Sequence, residues 1–208
     1  MNLLPTRSSG RTRTAITASM KHPSRPIQLL AISGSLRERS SNTALLQAAI
    51  ALAPKHVEIR LYKGLGDLPH FNPDLEPYEP AAVTDLRQQL HICDGLIISS
   101  PEYAHSIPGV LKNALDWLVS GEEFVGKPVA LLNASPRATY AQATLREVVT
   151  VMSGHLVAEA SIDIPLLGRN LDAAGIVADP DFSTAINGAI VAFVAAIEKR
   201  VVEQSPSP

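Results

Sequence analysis

The chain has 208 residues, of which 46% are hydrophobic and 18% are charged. These proportions predict one globular domain with a well-filled core. A formal net charge of −2 gives no case for a nucleic-acid or anionic membrane partner, and no apolar run approaches the ~18–20 residues of a membrane span. The lone cysteine, Cys93, excludes an intramolecular disulfide framework. No metal site is predicted, because the histidines lack ligand spacing.

Residues 1–26 differ in composition from the rest of the chain. Ser, Thr, Arg and Pro dominate there and acidic residues are absent, whereas the chain after residue 25 carries 13 basic and 20 acidic residues. The segment lacks the continuous apolar stretch of a secretory signal. We predict a disordered leader over 1–26, a folded domain over 27–203 and a tail over 204–208. An organellar targeting segment, or an upstream start codon ahead of Met20, stays open.

After this leader, strand-like and helix-like runs alternate five times. The strands are predicted at about 27–33, 57–61, 95–100, 129–133 and 155–159. The helices are predicted at about 42–53, 80–92, 109–119, 139–153 and 181–203. The connections 62–80 and 160–180 are predicted to be long and irregular. This alternation predicts an α/β fold with a doubly wound, mostly parallel sheet, in which ligands bind beyond the carboxyl ends of the strands.

The first loop, residues 33–42, connects the first strand to the first helix. It carries hydroxyls at Ser35, Ser40 and Ser41 and a guanidinium at Arg37. Backbone N–H groups and the helix dipole favour an anion at such a place, so the loop indicates a phosphate site. The alternative is an ordinary helix cap supplied by Ser40 or Asn42 alone. The chain contains neither of the two standard glycine-rich phosphate fingerprints.

The second loop, residues 99–109, follows the third strand and is stiffened by Pro101 and Pro108. Between the two prolines lie a carboxylate, a phenol, an imidazole and a hydroxyl, which fit the wall of a ring-binding site. The alternative is a loop that only caps its helix, with Tyr103 as a surface aromatic residue. The third loop, residues 133–138, leaves the same edge of the predicted sheet.

Two motifs within these loops carry a family resemblance. They read Gly34-Ser35-Leu36-Arg37-x-x-Ser40-x-Asn42 and Pro101-Glu102-Tyr103-x-x-Ser106-x-Pro108-Gly109-x-Leu111-Lys112-Asn113. Together they resemble the NADPH-dependent FMN reductase family, which includes flavin, quinone, chromate and azo-dye reductases. The resemblance covers about residues 27–200. It implies a flavodoxin-like fold with a five-stranded parallel sheet in the order 2-1-3-4-5.

The resemblance also implies nine cofactor-binding residues. The FMN phosphate is held by Ser35, Arg37, Ser40 and Asn42. The isoalloxazine ring and ribityl chain are bordered by Pro101, Glu102 and Tyr103. The third loop adds Ser135 and Arg137, at a place where many members have a glycine-rich segment. This chain departs from the family there, because residues 134–139 contain no glycine, and Ala104 replaces the Asn that is common after Pro-Glu-Tyr.

The implied activity is an FMN-dependent oxidoreductase that takes hydride from NADPH or NADH and reduces a small-molecule acceptor such as a flavin or a quinone. The cofactor supplies the chemistry, so no catalytic side chain is predicted. We expect a cytoplasmic protein. The last helix and the helix at 109–119 carry more apolar residues than one face needs, and the resemblance implies that such surfaces build a homodimer or homotetramer. The alternative is a helix that is fully covered within the core. The alternatives are a non-enzymatic flavodoxin-type electron carrier and a reductase that uses FMN as a dissociable substrate.

Arg137 has several possible partners. Its guanidinium is placed to meet either the electron-rich edge of the flavin or the 2′-phosphate of NADPH. The alternatives are an ion pair with Glu102 or Glu147, or a solvated side chain. Arg37 and Arg137 together favour an enzyme over an electron carrier, since carriers of that kind are usually strongly acidic.

Overall fold

Parallel strands form the centre of the protein in a computed structural model that describes residues 25–204. The strands are β1 (Ile27–Ser33), β2 (Val57–Leu61), β3 (Gly95–Ser99), β4 (Pro128–Asn133) and β5 (His155–Leu156). They follow the predicted order β2-β1-β3-β4-β5, and a short sixth strand, β6 (Ile162–Asp163), also pairs with β4. Most of the predicted leader, residues 1–24, lies outside the described residues, as does 205–208.

Within residues 25–204, six α-helices cover the two faces of this sheet. They are α1 (Ser41–Leu52), α2 (Ala81–Ile92), α3 (Gly109–Trp117), α4 (Thr139–Val151), α5 (Ala173–Ala178) and α6 (Pro180–Gln204). Helices α1, α5 and α6 pack on one face and α2, α3 and α4 on the other. Strands covered on both faces are apolar along their whole length, which is why they read as continuous runs. Within the described chain, no helix has the length and apolar content to cross a membrane.

The fifth predicted strand, 155–159, is wrong beyond its second residue. A 3₁₀ turn at Ala158–Ala160 separates β5 from β6. The N–H of Leu131 in β4 donates instead to Ser161 Oγ at 3.1 Å, and that hydroxyl donates to the Val157 carbonyl at 2.9 Å. A serine side chain therefore fills the missing place in the ladder, which an apolar pattern does not reveal.

The long connections are more regular than predicted. The stretch 160–180 contains β6 and α5, and Asp172 caps α5 by accepting from the Gly175 N–H at 2.8 Å. The stretch 62–80 contains two 3₁₀ turns, Gly64–Asp67 and Pro73–Tyr78. Both stretches read as irregular because their elements are too short to show a period.

Helix α3 anchors the connection 62–80. Asn113 Oδ1 accepts from the Phe71 N–H at 2.7 Å, and its Nδ2 donates to the Pro69 carbonyl at 2.9 Å. The indole N–H of Trp117 donates to the same carbonyl at 2.8 Å, and the Phe71 ring packs edge-on against the indole. The motif residue Asn113 thus fixes a neighbouring connection in place.

Candidate functional site

Three loops meet at the carboxyl edge of the sheet. The structure bounds the first loop at 34–40, the second at 100–108 and the third at 134–138. Strands β1, β3 and β4 are adjacent and parallel, and Ser33 at the end of β1 pairs with Ser99 at the end of β3. The loops therefore leave the sheet side by side, as the strand order predicts.

Gly34 brings the first loop close to the second. Its N–H donates to the Ser99 carbonyl at 2.8 Å. A Cβ atom at this position would lie 2.8 Å from Ser100 Oγ and 3.1 Å from a methyl carbon of Leu111. Only glycine fits without displacing these neighbours, so the contact between the two loops depends on it.

The first loop ends in a helix cap and leaves several donors free. Ser40 is the N-cap of α1 and accepts from the Thr43 N–H at 3.4 Å, so the helix cap predicted as the alternative does exist. The cap uses only the side chain of Ser40. The Ser35 hydroxyl accepts from the Arg37 N–H at 3.3 Å, and the first N–H groups of α1 have no intrahelical acceptor. The exposed Arg37 guanidinium has no hydrogen-bond or ion-pair partner within residues 25–204.

Asn42 links the first helix to the central strand. Its side chain is buried, and Oδ1 accepts a hydrogen bond from the Ser99 hydroxyl at 2.9 Å. Buried polar groups are stable only when they are hydrogen-bonded in this way. The carboxamide therefore holds the first loop in register with the second loop, and its Nδ2 is the group that remains for a ligand.

The second loop forms a tight turn. Tyr103 and Ser106 exchange two backbone hydrogen bonds of 3.0 Å each. Between them Ala104 and His105 have φ values of 49° and 56°, the left-handed combination of a type I′ turn. Glu102 Oε2 accepts from the Ala141 N–H at 2.9 Å. Glu102 thus supplies the cap that α4 lacks, because Ala138 at its N-cap position has no side-chain oxygen.

The third loop repeats the geometry of the first. Ser135 Oγ accepts from the Arg137 N–H at 3.3 Å, as Ser35 does for Arg37. Behind it, the buried Asn133 accepts from the Ser135 N–H at 3.1 Å and donates to Asp163 Oδ1 at 2.7 Å. Two Ser-x-Arg turns therefore present their guanidinium groups at the same edge of the sheet.

Arg137 is exposed and forms no ion pair within the described part of the chain. The predicted alternative of a pair with Glu102 or Glu147 is therefore not what the structure contains. The reason is local: the Glu102 carboxylate is turned towards the start of α4. A solvated side chain and a ligand contact are the two interpretations that remain.

The sequence did not identify two contributors to this edge. Asn133 orders the third loop, and a polar residue at the end of a buried strand is the signal that marks it. Tyr140, in the first turn of α4, stacks on His105 with ring centroids 4.3 Å apart and an interplanar angle of 18°. No local pattern marks this pair, because its two members belong to different elements.

The donor set of the first loop fits the phosphate of FMN. Two hydroxyls and a guanidinium without a partner in the described chain belong to one loop, which leads into α1, and such groups bind a dianion well. Prolines at both ends of the second loop give the adjoining wall its stiffness. Among residues 25–204, no group of three or more His, Cys, Asp or Glu side chains is arranged to hold a metal ion.

Comparison with known proteins leads to the same family. A family model described as NADPH-dependent FMN reductase matches residues 27–164. The chain is 38% identical over 159 residues to an NAD(P)H-dependent FMN reductase of Pseudomonas aeruginosa. This match covers 74% of this chain and 85% of that protein. It is 34% identical over 161 residues to a 2-hydroxy-1,4-benzoquinone reductase of a Burkholderia species, with 74% and 87% covered.

A solved structure agrees with these sequence relatives. FerB, a flavoenzyme NAD(P)H:(acceptor) oxidoreductase from Paracoccus denitrificans, superimposes with a TM-score of 0.75 at 32% identity, covering 83% of this chain and 98% of that one. The predictions of a flavodoxin-like fold, of FMN and NAD(P)H as cofactors and of an oxidoreductase are confirmed. The chain belongs to the NADPH-dependent FMN reductase family and is a flavin-dependent oxidoreductase.

Proposed function

We propose that the three loops at the carboxyl edge together hold FMN, and that the enzyme reduces a quinone or a similar planar acceptor with electrons from NAD(P)H. The observation that carries this proposal is the partner-free guanidinium of Arg37. It lies in the same loop as Ser35 and Ser40, and this loop leads into α1. A charge without a protein partner in a loop that precedes a helix N-terminus is suited to a phosphate group.

In this proposal, three residues of the first loop bind the phosphate. Arg37 supplies a charge-assisted hydrogen bond, and Ser35 and Ser40 supply neutral ones. Asn42 contributes mainly by fixing the loop through its bond to Ser99. The side chains of Ser35, Ser40 and Asn42 are held by hydrogen bonds before a ligand arrives, so only Arg37 must be ordered on binding.

The second and third loops form the walls of the ring site in this proposal. Pro101 and Tyr103 border one side, with Glu102 holding that loop against α4 through the Ala141 N–H. Ser135 and Arg137 border the other side. Hydride uptake from NAD(P)H and electron delivery to the acceptor are the chemistry that FMN supplies when bound. The side chains orient the cofactor and leave its face open to both substrates.

Arg137 is proposed to read the 2′-phosphate of NADPH, because its exposed guanidinium has no ion-pair partner in the described chain. Arg137→Ala should then raise the KM for NADPH and leave the KM for NADH unchanged. An equal loss of kcat with both nucleotides would instead place Arg137 at the reduced flavin. Unchanged kinetics with both nucleotides would leave a solvated side chain.

The acceptor is proposed to be a planar aromatic molecule. Exposed apolar side chains surround the carboxyl edge, among them Leu36, Tyr103, Tyr140 and Leu167. Exposed aromatic and aliphatic side chains favour contact with a quinone ring over contact with a hydrated inorganic anion such as chromate. The similarity to a benzoquinone reductase supports the same choice.

We also propose a homodimer or homotetramer working in the cytoplasm, where NAD(P)H is abundant. The large apolar residues of α3 are mostly buried in the core, whereas Val191, Val201 and Val202 of α6 are exposed. These valines are the supporting observation for a subunit contact on α6. Light scattering coupled to gel filtration measures the molar mass directly, and a mass of one chain would contradict this part of the proposal.

The deciding experiment combines FMN binding with turnover. Apoprotein is titrated with FMN and with riboflavin, and NADPH oxidation is then followed with FMN, a benzoquinone, chromate and an azo dye as acceptors. We expect tighter binding of FMN than of riboflavin and the fastest turnover with the quinone. FMN binding without NADPH oxidation would instead indicate an electron carrier. Loss of the yellow colour on gel filtration would indicate a dissociable flavin.

A further inference from the structure

We propose that Tyr140 is a positioning residue of the flavin site, acting through its stack on His105 to hold the second loop in its turn. The inference rests on the proposed function, because it assumes that the second loop borders the flavin ring. It goes beyond that function by assigning a role to a residue outside all three loops. Its basis is a backbone conformation that the local sequence does not favour.

The turn at the tip of the second loop lacks the residues that usually stabilise it. Type I′ turns need positive φ at both central positions and therefore favour Asn-Gly or Gly-Gly. Here those positions hold Ala104 and His105, with φ values of 49° and 56°. A side chain with a Cβ atom destabilises the left-handed region, and alanine has no polar group to offset this. The turn must be held by contacts outside itself.

The structure supplies those contacts from α4. The His105 ring lies nearly parallel to the Tyr140 ring at a centroid distance of 4.3 Å. At the next position of the helix, the Ala141 N–H donates to Glu102 at 2.9 Å. The second loop is therefore tied to the first turn of α4 at two points, on either side of Tyr103.

This attachment determines where Tyr103 lies. Tyr103 is half exposed, and its backbone is fixed by the two hydrogen bonds to Ser106. When the stack is removed, the left-handed turn loses one of its two attachments to α4, and these hydrogen bonds open more often. Tyr103 then spends less time in the position that faces the ring, and FMN binds to a smaller population of competent molecules.

The test compares FMN affinity in a small set of variants of the full chain. Tyr140→Ala should raise the Kd for FMN by about threefold to tenfold, the range expected when one aromatic pair is lost. Tyr140→Phe keeps the ring and should bind like wild type. The matched control is Val151→Ala, an exposed apolar residue at the other end of α4, which should leave the Kd unchanged.

A second substitution tests the mechanism itself. Ala104→Gly removes the backbone strain, so it should restore the affinity of Tyr140→Ala to within about twofold of wild type. His105→Ala removes the other ring on an exposed loop and should reproduce the loss, even if Tyr140→Ala fails to fold. Wild-type affinity in both single alanine variants, or no recovery with Ala104→Gly, would overturn the proposal.

Amide hydrogen exchange in the FMN-free protein separates this inference from the proposed function. The amides of Tyr103 and Ser106 should exchange faster in Tyr140→Ala and return towards wild-type rates in the Ala104→Gly double variant. This result is expected whether or not the loop binds FMN. If wild type failed to bind FMN, the proposed function would fall while the exchange result still tested the attachment. Unchanged exchange would overturn the attachment alone.

Discussion

Arg37 and Arg137, at the carboxyl edge of the sheet, differ from four cationic side chains towards its amino edge. Towards the amino edge, each of four cations has acceptors within the protein: Arg25, Arg87, Lys127 and Arg200. Lys127, for example, donates to the last carbonyl groups around the end of α2 at 2.7 and 2.8 Å. At the carboxyl edge, Arg37 and Arg137 have no such acceptor within residues 25–204. These four cations stabilise the fold, whereas Arg37 and Arg137 are left available to a ligand.

This difference teaches how a site is recognised without a ligand. A cation that already binds carboxylates or carbonyl groups has little left to offer an anion, because its donors are occupied. A cation held on a fixed loop without acceptors keeps its donors for a partner from solution. The contrast predicts that removing a cation from the amino edge costs folding stability, whereas removing one from the carboxyl edge costs binding.

The largest expected effect follows from Arg87. This side chain, 18% exposed, pairs with Glu79 at 2.8 Å and Glu123 at 3.0 Å and donates to the Trp117 carbonyl at 2.7 Å. Arg87→Ala removes the cation that pairs with two partly buried carboxylates, so the free energy of unfolding should fall by about 3 kcal/mol. Urea denaturation measures the loss. The matched control is Arg37→Ala, which should unfold like wild type.

The converse test is the effect of Arg37 on binding. Arg37→Ala should weaken FMN binding by about tenfold to hundredfold, since a hydrogen bond to a charged group is worth about 1.5–3 kcal/mol. Riboflavin lacks the phosphate and should bind both proteins equally. Arg39→Ala, an exposed arginine in the same loop, is the control. If both arginine variants lost the same affinity, the general positive charge of the loop, and not a specific contact from Arg37, would explain FMN binding.

A third test concerns the ionisation of a buried phenol at the carboxyl edge of the sheet. The pKa of Tyr62, which follows β2, is raised from 10.0 to about 12, because burial disfavours the phenolate and the carboxylates of Asp85 and Asp67 oppose it. The unfolded chain releases this proton near pH 10, whereas the folded chain keeps it. The free energy of unfolding should therefore fall by up to about 2 kcal/mol as the pH rises from 10 to 12. Tyr62→Phe should lack this slope.

The smallest expected effect belongs to Arg25 at the amino edge. It forms two hydrogen bonds with the Asp94 carboxylate, at 2.7 and 2.9 Å, but its side chain is 59% exposed. An exposed ion pair contributes little, so Arg25→Ala should lower the free energy of unfolding by less than about 1 kcal/mol. Denaturation at two salt concentrations checks this, because screening should remove most of the difference. If Arg25→Ala lowered the free energy of unfolding as much as Arg87→Ala, solvent exposure would not explain the difference expected between the two ion pairs.

The sheet was largely predictable from the sequence. Strand β3, for example, is buried on both faces, as Ile97 and Ile98 show. Such a strand appears in the sequence as a continuous apolar run, which predicts both the type of element and its position. The break after β5 was not predictable, because it depends on the hydroxyl of Ser161 replacing a backbone group in the ladder. A single side-chain contact of this kind has no periodic signature.

The candidate site was predictable in its loops and less so in its internal contacts. Ser40 and Arg37 stand out because hydroxyl and guanidinium groups before a helix suit an anion. The bond from the Ala141 N–H to Glu102 spans 39 residues, and the His105 stack joins the same two elements. Such contacts depend on how α4 is placed against the second loop, which is a property of the assembled fold.

The hydrogen bond between Asn42 and Ser99 limits how independently this enzyme can be altered. It joins the element that follows the first loop to the residue just before the second loop, at 2.9 Å in a buried setting. Substitutions on its two sides should therefore be non-additive in a double-mutant cycle. An engineer who exchanges the second loop for one from another reductase, to change the acceptor, must keep Ser99. Otherwise, if the first loop binds the FMN phosphate as proposed, the new loop will also weaken that binding.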